Sequence, residues 1–159
     1  MRKELPEQLL RELLKNSKRS DRELAKILKV TQPTVTRART RLVNEGVIKE
    51  FTVVPDFVKM GYELMAITLF KSKRSERIQE KAVKETMSRP NIVFAGNVSG
   101  GGKNGVIISL HRDFSDYTRF LTKLRREGGE DVEEGDSFLV TLGEFIPKPL
   151  SFSYLAEEM

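Results

Sequence analysis

The sequence contains no cysteine, which excludes a disulfide framework, a thiolate nucleophile and a zinc–thiolate site together. It has a single histidine, His111, and no cluster of metal-ligating side chains or nucleophile–base pair stands out around it. No apolar run approaches the ~20 residues that a membrane-spanning helix needs. The opening stretch MRKELPEQLLRELL alternates charge with leucine and reads as the start of an amphipathic helix rather than a signal peptide. The expectation is a soluble, cytoplasmic, non-enzymatic chain with no cofactor, no metal and no membrane partner. Its 159 residues suffice for one medium domain or two small ones.

Excess negative charge is also missing, and its absence is local. Residues 1–50 hold 13 Lys+Arg against 7 Asp+Glu, while residues 51–159 hold 15 against 16. The net charge of +5 therefore originates in the first third of the chain, as an electrostatic footprint for phosphates requires.

That basic segment has the pattern of a helix-turn-helix between Asp21 and Thr40. Ser20-Asp21-Arg22-Glu23 forms a capping box, in which the Ser20 hydroxyl and Glu23 carboxylate satisfy exposed N–H groups. Ala25 is small where two crossing helices approach. Leu24, Leu28, Val30, Val35 and Ala38 supply the apolar set to be buried. The second helix opens at Thr31 as N-cap, with Pro33 tolerated in its first turn, and stops at Gly46. The turn Lys29-Val30-Thr31 lacks a leading glycine, so Lys29 is expected at positive φ. With Val35, Ala38 and Leu42 turned inward, a 3.6-residue period turns Pro33, Arg37 and Thr40 outward. Gln32, Thr36 and Arg41 flank them, and Thr34 stands beside them in the first turn. No acid interrupts this face before Glu45. Arg can bridge guanine O6 and N7, and Gln can bridge adenine N6 and N7, so the surface suits a major groove.

Around this motif, Glu7–Asn16 reads as a first helix packing Leu9, Leu10, Leu13 and Leu14 on it. Residues 47–54 alternate roughly as a strand, and 55–61 read as a linker with a short turn of helix. From 62 to 159 the order is strand, helix, strand, strand, helix, strand. The strands fall at Leu64–Phe70, Ile92–Val98, Val106–Leu110 and Ser137–Leu142. The helices follow Ser75 and begin again near Ser115, the latter with Tyr117, Phe120, Leu121 and Leu124 on one face. This order gives a ferredoxin-like βαββαβ antiparallel sheet with both helices on one side. Leu64, Ala66, Thr68 and Phe70 are expected on its exposed face. The stretch Ser99–Gly105 reads as a long glycine-rich loop. Pro147 and Pro149 make the tail extended, either as an edge strand or as an arm to a partner subunit. The fold class is α+β: an N-terminal winged helix-turn-helix domain (1–54), a linker (55–61) and a ferredoxin-like sheet domain (62–159).

Four stretches carry a resemblance: ELAKILKVTQPTVTRARTRL, NEGVIKEFTVV, KMGYEL and the strand–glycine–strand of the sheet domain. Together they resemble transcription regulators of the Lrp/AsnC (leucine-responsive and asparagine-responsive) family over nearly the whole chain. The resemblance implies operator-binding on double-stranded DNA by a homodimer, assembled further into tetramers or octamers. It implies a RAM-type sheet domain that dimerises and senses a small effector, commonly an amino acid. Gln32, Pro33, Thr36 and Arg37 match positions that touch bases, and Arg41 a position that touches backbone. Ser99, Gly100, Gly101, Gly102 and Asn104 match the effector loop. Three departures accompany it. Ala38-Arg39 replaces Arg followed by an apolar residue, so that Arg39 either alters packing or adds a phosphate contact. Pro55-Asp56 reverses the usual order. Asn104 stands where an aspartate is usual, which removes a carboxylate partner for a ligand's ammonium.

The rival readings keep the architecture and change the role. Siroheme-decarboxylase-like enzymes need conserved histidines, and here His111 stands alone at a strand end. The run SGGGKNG lacks the Lys-Ser/Thr pair of a phosphate-binding loop. A metabolite-binding module without DNA binding is opposed by the basic helix face.

Overall fold

A computed structural model describes residues 4–73 and 75–159, so Met1, Arg2 and Lys3 of the expected N-terminal helix lie outside the described residues. The chain divides into two compact units, residues 1–54 together with 148–159, and residues 55–147.

The first unit is built on three helices, α1 (Glu4–Lys15), α2 (Asp21–Leu28) and α3 (Gln32–Asn44). Leu9, Leu13, Leu24, Ala25, Val35, Ala38 and Leu42 form its buried core, with Leu28, Val30 and Ile48 packed at the edge. Leu9, Leu24 and Val35 are wholly inaccessible, and each such aliphatic side chain contributes about 1.5–3 kcal/mol by leaving water. The helices are thus held by a closed apolar set that the 3.6-residue period placed on facing sides.

Two expectations fail in this unit. Residues 47–54 carry no strand. A strand needs a ladder partner, and here the Ile48 N–H instead returns to the Leu42 carbonyl at 3.1 Å. Val47, Phe51 and Val53 remain exposed. The tail is not an edge strand either: residues Phe152–Glu157 form a short 3-10 helix on α1. Ser151 caps it, the Arg11 guanidinium donates to the Ala156 carbonyl at 2.8 Å, and Ala156 is buried. The two prolines precede this turn and do not prevent it.

The second unit contains β1 (Leu64–Ser72), α4 (Glu76–Met87), β2 (Ile92–Gly100), β3 (Lys103–His111), α5 (Phe114–Gly128) and β4 (Val132–Thr141). The strands form one sheet in the order β2-β3-β1-β4, with every pair antiparallel. This is the ferredoxin-like arrangement. Asp113 caps α5 through the Asp116 N–H at 2.7 Å, and Ser75 caps α4 through the Ile78 N–H at 3.3 Å.

Register decides which face is covered. Leu64 pairs with His111 and Ala66 with Ser109, and the His111 ring lies 4.9 Å from Phe120 and 5.4 Å from Tyr117 on α5. Directly opposed residues share a face, so Leu64, Ala66, Thr68 and Phe70 lie on the helix side. The expected assignment of these four to the exposed side is reversed. Small Ala66 and Thr68, both buried, leave room for the α5 aromatics. The helix α4 lies on the same side, because Lys81 reaches the Glu127 carbonyl at 2.9 Å and Arg89 stacks 5.7 Å from the Phe120 ring. The other side carries a row across all four strands: Phe94, Ile108, Ile67 and Phe138. Phe94 and Phe138 are more than half exposed.

Candidate nucleic-acid interface

The helix-turn-helix starts from its caps. The Ser20 N–H donates to a Glu23 carboxylate oxygen at 2.7 Å, and the Glu23 N–H donates to Ser20 Oγ at 3.3 Å, closing the capping box. The α2 helix ends at Lys29 with φ 53 and ψ 43, the positive φ that the missing glycine required. Left-handed backbone costs a non-glycine residue about 1–2 kcal/mol. It is tolerated because the Val30 N–H then reaches the Ala25 carbonyl at 3.0 Å. Thr31 is the α3 N-cap but makes no side-chain cap bond. Pro33 in the first turn has no N–H to offer, and the Thr31 hydroxyl instead meets that of Thr34 at 2.8 Å.

Along α3, Gln32, Pro33, Thr36, Arg37, Thr40 and Arg41 are exposed and Thr34 is half-buried. Gln32, Pro33, Thr36 and Arg37 line one shallow depression. Arg37 folds its Nε onto the Pro33 carbonyl at 3.3 Å, Thr40 donates to the Thr36 carbonyl at 3.0 Å, and Arg41 pairs with Glu45 at 2.7 Å. The Arg41–Glu45 pair is exposed at both ends, so water and phosphate can compete for it at little cost.

The residues that periodicity did not reveal are Asp21 and Arg39. Asp21 accepts from the Thr36 hydroxyl at 2.6 Å and from Arg39 Nε at 2.8 Å, and Arg39 also donates to the Arg19 carbonyl at 3.3 Å. Its guanidinium lies 5.7 Å from the Phe51 ring. Arg39 therefore packs instead of standing free for phosphate. The outward face is also less free of acid than expected, since Asp21 borders it at Thr36. Burial by itself would raise the Asp21 carboxyl, but the Thr36 hydroxyl and the Arg39 guanidinium outweigh it and hold the group below the ordinary aspartate value. Asp21 and Thr36 stand fifteen residues apart on different helices, where no single-helix period connects them. The acid in the first turn of α2 was readable only as a cap.

In the second unit, the expected long loop at Ser99–Gly105 is a tight hairpin. Gly100 pairs with Lys103, and Gly101 and Gly102, at φ 56 and 72, make a two-residue turn with both positions left-handed, which favours glycine. The Asn104 amide accepts from the Ser72 N–H at 2.8 Å and donates to the Ser72 carbonyl at 2.8 Å. A Cβ at Gly105 would collide with the Phe70 ring. Ser99, Gly100, Gly101 and Gly102 are exposed.

His111 is the last residue of β3 and is buried. Its Nε2 lies 2.8 Å from the Ser109 hydroxyl, and its Nδ1 has no hydrogen-bond partner, 3.7 Å from Asp116. Burial lowers its pKa, with Asp116 opposing in part. Among the described residues no group of three or more His, Asp or Glu could hold a metal ion, and no helix is long and apolar enough to cross a membrane.

Comparison with known proteins bears on the same helices. Residues 2–49 match the family model for a winged helix-turn-helix DNA-binding domain. An uncharacterized HTH-type transcriptional regulator of Pyrococcus horikoshii, PH0061, is 33% identical over 131 residues, covering 79% of this chain and 85% of that protein. Its crystal structure superposes with a TM-score of 0.77 over 91% of this chain and 95% of that one, at 27% identity. The HTH-type transcriptional regulator LrpC of Bacillus subtilis is 32% identical over 92 residues, 58% of this chain and 62% of LrpC. An AsnC family transcriptional regulator from Agrobacterium tumefaciens, at 19% identity, shares the fold with a TM-score of 0.75 over 95% of this chain and 97% of its own.

Proposed function

The chain belongs to the Lrp/AsnC family of helix-turn-helix transcriptional regulators, and on that premise we propose that the exposed edge of α3 reads base edges in the major groove of double-stranded operator DNA. Gln32, Thr36, Arg37 and Thr40 face the bases, Pro33 and Thr34 set the approach of the first turn, and Arg41 meets phosphate. One observation carries this reading: the buried core ties α3 down through Val35, Ala38 and Leu42, which leaves an edge of polar and cationic side chains outward. Phosphate contacts supply most of the affinity and base contacts the selectivity. A gel shift on the DNA upstream of the protein's own coding sequence tests it. A complex that survives excess nonspecific competitor is expected, and one displaced as readily as by its own sequence contradicts the reading.

A single helix-turn-helix reaches one half-site, so a homodimer reading a pseudo-palindrome follows, with half-sites one or two turns apart. The apolar row Phe94–Ile108–Ile67–Phe138 supports dimerisation through the helix-free side of the sheet, with tetramers or octamers built from such dimers. Light scattering at micromolar concentration should give at least twice the 18.2 kDa of one chain, and a stable monomer refutes it. The expected cellular place is the cytoplasm, where the DNA is. For an amino-acid effector, the exposed backbone of Ser99–Gly102 is the proposed contact, led by the ligand's carboxylate. Asn104 takes no part because Ser72 holds both ends of its amide. Calorimetry against the twenty amino acids should give dissociation constants of high micromolar or weaker, corresponding to less than about 6 kcal/mol, and tight binding through the ammonium would contradict this placement.

A further inference from the structure

The hydroxyl of Thr36 is the one hydroxyl on the proposed reading edge that donates to a carboxylate on another helix. It lies 2.6 Å from an Asp21 carboxylate oxygen and 3.1 Å from the Gln32 carbonyl. Both are acceptors only, so whichever takes the hydrogen, it points into the protein. Asp21 stays in place because Arg39 holds its other oxygen at 2.6 Å, and Arg39 is itself anchored on the Arg19 carbonyl and against Phe51. Thr36 nonetheless remains exposed. What it offers outward is a pair of lone pairs and a methyl group.

We propose that Asp21 is a specificity-determining positioning residue, which fixes Thr36 as a hydrogen-bond acceptor so that it selects an amino-bearing base, adenine or cytosine, on the strand it faces. The proposal rests on the reading of α3 given above. In the major groove adenine N6 and cytosine N4 are donors, whereas guanine O6 and N7 and thymine O4 are acceptors. An acceptor-only hydroxyl can meet the first pair and leaves the second unmatched. It is equally unable to donate to a phosphate, so Thr36 belongs to base readout and not to backbone positioning. Arg37, its neighbour, has donors alone and selects the opposite class, the acceptor edge of guanine. Adjacent side chains thus impose opposite requirements on neighbouring base pairs. Arg39 completes the arrangement by neutralising the carboxylate, which would otherwise oppose the nearby phosphates.

The test is in vitro selection from a random duplex library with the full chain, run for the wild type, Thr36→Val and Asp21→Ala. The wild-type motif should contain one position favouring adenine or cytosine over guanine or thymine by roughly three- to tenfold, the worth of one neutral hydrogen bond. Thr36→Val keeps the shape and removes the acceptor, so the preference disappears at that position and nowhere else. Asp21→Ala leaves the hydroxyl only the longer bond to the Gln32 carbonyl at 3.1 Å, which it can exchange for a base acceptor, and the same position should then admit guanine and thymine. A merely structural Asp21 would weaken all sequences evenly and leave the preference intact, which overturns the proposal. So would a preference that survives Thr36→Val. Should Asp21→Ala fail to fold, Asp21→Asn takes its place, because it keeps the shape and weakens the claim on the Thr36 hydrogen. It should relax the same position, and an unchanged preference overturns the proposal. A wild type that enriches no motif removes the DNA reading itself and this inference with it. A wild-type motif with no position sensitive to Thr36→Val removes only the inference.

Discussion

The edge of α3 and the glycine hairpin at Ser99–Gly105 were both candidate contact surfaces, and they differ in where their polar groups are engaged. On α3, Gln32, Arg37 and Arg41 project from a helix that its own core holds in place, with bonds that are weak, exposed or absent. In the hairpin, the one side-chain amide is closed on both ends by the Ser72 backbone, and Gly105 is occupied by the Phe70 ring. Glycine and asparagine there serve the sheet. A group already satisfied within the fold has little left for a ligand, so the two surfaces are not equivalent candidates.

The largest effect that could break this comparison is at Gly105. Because a Cβ would collide with Phe70, Gly105→Ala should destabilise the protein by about 1–3 kcal/mol. Thermal melting reads this, while DNA affinity per folded molecule stays unchanged. A destabilisation near zero would reopen the hairpin as a site with room for a ligand. Next is Asp21, whose folded pKa is depressed. Its contribution is complete above the unfolded value of about pH 4 and is lost as the pH falls through the folded value. The stability difference between wild type and Asp21→Asn should therefore be about 1–2 kcal/mol near neutrality and shrink only on acidification below that point. A difference independent of pH would show that the carboxylate charge does not tie α2 to α3. Asn104→Ala removes two bonds to Ser72 and should cost about 1 kcal/mol or slightly more, with amino-acid binding in calorimetry unaltered. Loss of such binding would restore Asn104 as a ligand contact. The smallest effect is a gain: Lys29→Gly relieves left-handed backbone, offset in part by the flexibility glycine adds to the unfolded chain. A net stabilisation of about 0.5–1 kcal/mol should appear in denaturant titration, and a loss would mean that the turn depends on the lysine side chain.

Most of the fold was legible because its signals are local. The capping box, the αL turn at Lys29, the inward Val35-Ala38-Leu42 and the strand–helix order each depend on residues a few positions apart. What escaped depends on pairing across distance. The covered side of the sheet follows from the register that puts Leu64 opposite His111, and period-2 alternation gives two faces without saying which one meets the helices. Residues 47–54 alternate like a strand, but alternation cannot supply a ladder partner. The Phe152–Glu157 turn depends on the α1 surface beneath it. At the candidate interface the outward side chains were readable from the helical period. The Asp21–Thr36–Arg39 connection was not, because it joins two helices across the turn.

The central claim is that α3 reads bases with Arg37 and holds phosphate with Arg41. Binding of the upstream DNA by wild type, Arg37→Ala and Arg41→Ala, titrated across salt concentrations and against a one-base-substituted panel, tests it most directly. Arg37→Ala should lose about 1–3 kcal/mol on the specific sequence and relax preference at one position. Arg41→Ala should weaken all sequences together and reduce the salt dependence by about one phosphate's worth. If Arg37→Ala retained both the affinity and the base preference of the wild type, α3 would not be the reading helix.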